Sequence, residues 1–140
     1  MAAVATHLAD TSSLARVRLP AVARLLVPML QSGVVGGCGV TDFEMLWTTR
    51  TAREFDAVER ELRQLEHFWI EPVDWQRARE VQRELWHRGQ QRAVGLSDLL
   101  VAAVAERHRV TVLHYDKDFD LIAAVTGQPT TWVVGPGSVP

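Results

Sequence analysis

The stretch VTVLHYDKDFDLIAAV, residues 110–125, joins two kinds of pattern. Its first part, VTVLHY (110–115), is apolar on both faces of an extended run, which predicts a strand buried in a parallel sheet. The part that follows, KDFDLIAAVTG (117–127), predicts a helix. Asp116, Asp118 and Asp120 crowd the junction, where they repel one another unless the chain splays them or a cation sits among them. An EF-hand calcium loop opens with the same D-x-D-x-D spacing but needs Gly at its sixth position and Glu at its twelfth. Counted from Asp116, those positions hold Leu121 and Gly127, which excludes that reading.

Outward from this stretch the alternation of strand and helix continues. AVATHLAD (3–10) predicts a strand ending at Asp10, and TSSLARV then starts a helix on a Thr/Ser cap. PAVARLLVPMLQ (20–31) opens with Pro at a first helical position and predicts a helix bent or interrupted at Pro28. GVVGGCGV (33–40) reads as a buried strand of small residues, after which Thr41 and Asp42 cap FEMLWTT. Over 51–66, Phe55, Val58, Leu62 and Leu65 form an apolar stripe on a charged helix.

HFWIEPV (67–73) is a strand candidate. DWQRAREVQRELWHRG (74–89) is a helix with Trp75, Ala78, Val81 and Leu85 on one face and Gly89 as its stop. LSDLLVAAVAERH (96–108) starts on a Ser cap and is apolar nearly all round, the mark of a central buried helix, and TTWVV (130–134) is a last strand. The expected fold is α/β: a three-layer α/β/α sandwich around a mostly parallel sheet of four to five strands, in one domain over 1–140.

Bulk properties agree. The 140 residues are 47% hydrophobic and 23% charged, ordinary for a folded chain long enough to bury a core. Cys38 is the one cysteine and lies in an apolar run, so it is expected to be a buried, inert thiol in a reducing cytoplasm. MAAVATHLAD has no basic region before its apolar stretch and is not expected to be a secretion signal. The apolar tract from Leu19 to Val40 is broken by Arg24, Pro28 and Gln31, which is no membrane span. At a formal charge of −2, any nucleic acid must be held by local basic patches.

In an open parallel sheet, ligands bind beyond the carboxyl ends of the strands. Asp10, Glu44, Asp98, Asp116 and Asp118 all map to that edge. Asp10 and Asp98 also read as helix caps, Glu44 and Asp118 as first-turn acids, and Asp120 as a solvated one. Caps need not converge, however, whereas these acids are delivered to one rim by separate segments. Two unit charges about 5 Å apart repel by about 3 kcal/mol at an effective dielectric of about 20. Either some carboxylates protonate, with raised and coupled pKa values, or a divalent ion neutralises them. An all-oxygen site suits Mg²⁺ or Mn²⁺ and the hydrolysis of a phosphodiester.

LADTSSL (8–14), GVTDFEML (39–46), GLSDLLVAAVA (95–105) and VLHYDKDFDLIA (112–123) resemble, in order, the acidic segments of PIN-domain ribonuclease toxins of the VapC type. The resemblance implies a PIN-like fold and an Mg²⁺- or Mn²⁺-dependent endoribonuclease. It implies the toxin of a type II toxin–antitoxin pair, which inhibits translation and growth unless a VapB-type antitoxin binds it. It further implies a cytoplasmic homodimer and RNA substrates of the tRNA or rRNA class. On this reading Asp10, Glu44, Asp98 and Asp116 are catalytic. Asp10, Asp98 and Asp116 hold the principal metal, helped by Glu44 and Asp118. A water activated at the metal attacks phosphorus in line, leaving a 5′-phosphate and a 3′-hydroxyl.

Thr11 and Ser12 support the site, by orienting a water or by capping the first helix. His114 stands where the family usually has Thr or Ser and reads either as local packing or as a contact to substrate phosphate. Arg16, Arg50, Arg88 and Arg92, with Arg18 and Arg53, are candidates for seating RNA, against a default of solvated charge. The tryptophans read mostly as core, with Trp47 and Trp86 as interface candidates. The rivals are a PIN fold without catalysis that serves as a binding or regulatory module, and an RNA-processing nuclease outside any toxin pair. A phosphoacceptor receiver domain fits poorly because the sole lysine, Lys117, lies between two aspartates. A branched-DNA nuclease needs clamp elements for which this chain has no room.

Overall fold

The computed structural model describes residues 4–140. In chain order the elements are β1 (His7–Ala9), α1 (Thr11–Leu14), α2 (Pro20–Gln31), β2 (Val35–Gly37), α3 (Gly39–Trp47) and α4 (Ala52–Leu62). There follow β3 (Glu66–His67), α5 (Pro72–His87), α6 (Leu96–His108), β4 (Thr111–His114), α7 (Asp118–Thr126) and β5 (Thr130–Trp132). The five strands form one sheet in the order β3-β2-β1-β4-β5, and every pairing is parallel. In the middle, His7 faces Val35 on one side and Thr111 on the other.

A core lies on each face of the sheet. On one face Leu8 and Val112 pack with Ala78, Val81 and Leu85 of α5, with α6, and with Phe119 and Ile122 of α7. On the other, Ala9, Val35 and Leu113 pack with Leu14 of α1 and with Val22 and Leu26 of α2. Successive strand residues point to opposite faces, so Leu8/Ala9 and Val112/Leu113 serve both layers. This is the expected three-layer sandwich, with the sheet wholly parallel.

α6 is buried from Asp98 to Ala105, as a helix apolar all round requires. Its entry differs from expectation: Gly95 holds the cap position, and Ser97 lies inside the first turn. α3 likewise starts earlier than its FEMLWTT reading. Cys38 is its cap residue, and Thr41 receives the Cys38 N–H at 3.2 Å and donates to its carbonyl at 2.9 Å. α2 runs through Pro28 without interruption, with Pro28 on its exposed side.

The strands are shorter than their apolar runs. Asp10 leaves β1 to cap α1, and Ala3, where that run opened, lies outside the described residues. HFWIEPV contributes to β3 only through His67, because Phe68 turns into the core and Pro72 opens α5. Gly36 makes this close approach practicable: a Cβ there would meet the Phe68 ring, and would lie 2.8 Å from the Glu66 carbonyl oxygen.

Two apolar stripes are corrected. Trp75 is 59% exposed, and its expected place on the buried face of α5 belongs to Asp74, at 1%. Arg107 at the end of α6 neutralises that acid through Nε–Oδ1 (2.8 Å) and Nη2–Oδ2 (3.0 Å) contacts. α4 lies beside α3 with none of its residues fully buried: Phe55 is exposed, and Val58 and Leu62 are half-buried. Nor are the tryptophans core: Trp47, Trp69, Trp75 and Trp86 are all exposed. Cys38 is buried, as expected, and burial pushes its thiol pKa up. No helix among the described residues is long and apolar enough to cross a membrane.

Candidate active site

The carboxyl ends of β1 and β4 lie side by side, and each hands its chain to an acid. Asp10 follows β1 and caps α1: its Oδ2 accepts the Ser12 N–H at 3.0 Å and the Ser12 hydroxyl at 2.6 Å. Its other oxygen, Oδ1, is buried without a partner. The Ser12 hydroxyl also accepts the Tyr115 N–H at 2.9 Å, which ties the start of α1 to the segment after β4.

In that segment Asp116 donates its N–H to His114 Nδ1 at 3.1 Å and accepts the Asp118 N–H on Oδ1 at 2.9 Å. Asp118 in turn accepts the N–H of Gly95 on Oδ2 at 3.0 Å, joining α7 to the start of α6. Asp98, third in α6, faces the same space. One oxygen each from Asp98, Asp116 and Asp118 lie within 4.8 Å of one another. Glu44, half-buried on α3, is held from two sides: Thr11 Oγ1 donates to Oε1 at 3.0 Å and Ser97 Oγ to Oε2 at 3.4 Å.

Electrostatics record the crowding. Asp98 is pushed up to about 8, first by burial and then by the charges of Asp10 and Asp116 and by a hydrogen bond and charge from Asp118. Asp10 is raised by burial, eased by its two Ser12 hydrogen bonds, and raised again by Glu44 and Asp116. Asp116 is raised by burial above all. The pocket therefore opposes full ionisation of its own acids, and a cation would reverse that. Among the described residues, the clustered donors are all carboxylate oxygens, which matches a hard divalent ion.

The same architecture recurs in known proteins. The PIN domain family model matches residues 4–125, and the chain is 41% identical to Ribonuclease VapC21 of Mycobacterium tuberculosis over 94% of its own length and 96% of that protein. This chain is a PIN-domain protein of the VapC type. It is also 40% identical to Ribonuclease VapC51 of Mycobacterium tuberculosis, over 95% of this chain and 96% of that protein. Among solved structures, DNA-bound VapBC from Salmonella typhimurium superposes with a TM-score of 0.75 over 93% of this chain and 99% of that one. At 16% identity that likeness is one of fold.

Within this PIN domain the acids converge, but the tightest group differs from the expected principal set. It holds Asp118 with Asp98 and Asp116, while Asp10 turns one oxygen to Ser12 and leaves the other free. Thr11 and Ser12 both bond carboxylates directly. Asp120 is exposed, as expected, and accepts the Trp132 Nε1–H at 3.1 Å.

His114 packs locally and is 0% exposed, which rules out the phosphate contact. Burial pulls its pKa down to about 4. Arg16 is a buttress: it bonds the carbonyls of Ser12 (2.7 Å) and Pro140 (2.8 Å) and lies 4.5 Å over the Tyr115 ring. Arg88 pairs with Glu84 at 3.1 Å, while Arg50 and Arg92 are exposed. Ser97 reads in the sequence only as a cap, and Gly95 carries no role there. Their only signal was proximity to Asp98, since what they bond lies on other elements.

Proposed function

We propose that this protein is a divalent-metal-dependent endoribonuclease, the toxin of a type II toxin–antitoxin pair, acting in the cytoplasm. The observation that carries the reading is the meeting of Asp98, Asp116 and Asp118 oxygens within 4.8 Å, beside a buried Asp10 oxygen that has no partner. The names of the relatives, ribonucleases at 41% and 40% identity, support the same activity.

Asp10 Oδ1, Asp98, Asp116 and Asp118 would hold Mg²⁺ or Mn²⁺. When bound, such an ion lowers the pKa of a water and stabilises charge on a phosphoryl group and its leaving oxygen. The side chains do the rest. Asp98, pushed up to about 8, gives up its proton as the pocket fills. Glu44 is fixed at the rim by Thr11 and Ser97, with Oε2 the more loosely bonded oxygen at 3.4 Å, placed to accept a proton from an attacking water. Ser12 holds the Asp10 carboxylate to one rotamer and so keeps Oδ1 pointed away from α1's own N–H groups.

RNA is the anionic partner of this rim, with Arg50 and Arg92 exposed to meet phosphates. The uncovered aromatics Phe43, Trp47 and Phe55 on α3 and α4 support protein partners, namely a VapB-type antitoxin and a second copy of the chain. The test is cleavage of tRNA and rRNA by purified protein. Activity with Mg²⁺ or Mn²⁺ that EDTA abolishes supports the reading; cleavage indifferent to EDTA, or none on any RNA, overturns it.

A further inference from the structure

The backbone leaving β4 is held by side chains at successive points. Ser12 Oγ takes the Tyr115 N–H at 2.9 Å, His114 Nδ1 takes the Asp116 N–H at 3.1 Å, and Asp116 Oδ1 takes the Asp118 N–H at 2.9 Å. The His114 bond spans two residues, as an Asx turn does, with a ring nitrogen standing where a carboxamide or carboxylate oxygen would.

A ring that accepts at Nδ1 carries its hydrogen on Nε2. That nitrogen is buried with no hydrogen-bond partner. The ring is wedged between Phe119 and Trp132, with centroids 5.0 Å away on each side. A benzene ring would fill the same space without an orphaned donor. Buried unpaired donors are uncommon in folded proteins and call for an explanation. Here the explanation is the other nitrogen and what it holds.

We propose that His114 is a positioning residue of the acidic pocket: through Nδ1 it fixes the backbone from which Asp116 and Asp118 present their carboxylates. The inference rests on the reading above, in which those carboxylates hold a divalent ion. His114 touches neither the ion nor the RNA; it sets the angle of the arm. Asp116 carries the arrangement onward by capping Asp118, and Asp118 carries it to Gly95 and α6. One imidazole nitrogen thus governs the spacing of two of the three clustered acids.

Two substitutions separate this role from packing. His114→Phe keeps an aromatic ring and removes the acceptor; His114→Asn loses the ring but places Oδ1 where Nδ1 stood. Mn²⁺ binding is read by titration calorimetry, and the fold by circular dichroism. With the fold intact, His114→Phe is expected to weaken Mn²⁺ binding about 10- to 100-fold, the usual cost of losing a partner behind a metal ligand. His114→Asn is expected to recover most of that loss despite poorer packing. Equal Mn²⁺ affinity in wild type and His114→Phe overturns the proposal, as does a loss in His114→Asn as large as that in His114→Phe.

Nitrogen-15 NMR of the wild-type protein tests the same bond without any substitution, and decides if a variant fails to fold. The expected spectrum has His114 unprotonated at Nδ1 and an Asp116 amide protected from exchange; a protonated Nδ1 or a freely exchanging amide refutes it. If the wild type takes up no Mn²⁺, the metal reading falls by itself, and the NMR result still judges the His114 bond.

Discussion

Asp118 Oδ2 accepts the Gly95 N–H at 3.0 Å, so the acid that opens α7 also pins the residue before α6. A Cβ on Gly95 would stand 3.0 Å from Asp98 Oδ2 and 3.8 Å from Asp118 Oδ2. The Gly95 φ of −65° suits alanine, so Gly95→Ala presses on the Asp98 carboxylate, only touches that of Asp118, and leaves the backbone unstrained. It is expected to keep Tm within about 3 °C of wild type and to weaken Mn²⁺ binding about tenfold or more. An unchanged calorimetric titration would mean that Asp98 moves aside freely.

Asp98→Asn removes a charge that the empty pocket resists. Cleavage of RNA and growth inhibition are expected to fall to background, as in Asp10→Ala, with the fold retained. The metal-free Tm of Asp98→Asn at neutral pH is expected to rise by about 2–4 °C, the shift that follows from removing roughly 1 kcal/mol of the cost of holding Asp98 protonated in a domain of this size. Full activity in both variants, measured on one RNA with Mn²⁺, would remove these acids from the chemistry.

The metal-free protein should have an unusual pH profile. Asp98 is raised from 3.8 to about 8, so its contribution to stability is present at low pH and is lost as pH rises towards 8. His114 is lowered from 6.5 to about 4, so it acts the other way: stability is lost as pH falls from 6.5 to 4. The two slopes oppose each other below pH 6.5, and only the Asp98 slope survives between 6.5 and 8. Urea melts in EDTA should therefore show stability falling across that upper window. Asp98→Asn should flatten it, and so should saturating Mn²⁺. A wild-type curve that climbs from pH 6.5 to 8 would contradict the crowding of acids.

Arg107→Ala should separate stability from activity. It strips Asp74, 1% exposed, of a two-pronged partner, and Trp69 loses the Nη2 bond to its carbonyl at 2.8 Å. Removing one member of a buried pair is expected to cost about 3 kcal/mol, the low end for such pairs because Arg107 is partly exposed. The Tm should drop by about 10 °C. At a temperature where the variant is folded, Mn²⁺ affinity should match wild type, since this pair joins the start of α5 to the end of α6, away from the acids.

The alternation of strands and helices was legible because β1, β2 and β4 lie in apolar runs and the longer helices keep their own period. The acids were legible for the same reason: a parallel sheet sends every strand's carboxyl end to one edge, so Asp10 and Asp116 had to meet. Strand ends were less so: Asp10 leaves the ladder for the cap its residue type allowed, whereas Phe68 leaves for the core with no local signature. Burial of large aromatics was misread at Trp75, where a charged neighbour with a distant partner took the inward position. The bonds of Ser97, read only as a cap, and of Gly95 were invisible, because their partners, Glu44 and Asp118, lie 53 and 23 residues away.

The parallel order β3-β2-β1-β4-β5 sets the timetable of assembly. The central strand is made first, but its neighbour β4 arrives a hundred residues later: Ser13 bonds the Leu113 carbonyl across 100 positions. Loop closure over such a span is slow to be rewarded. During synthesis, therefore, the first acid waits for its partner strand while the ribosome adds a further hundred residues. No nascent fragment that stops short of Asp118 can gather the full set of carboxylates. A cell making this protein is spared the finished pocket until Asp118 has been added.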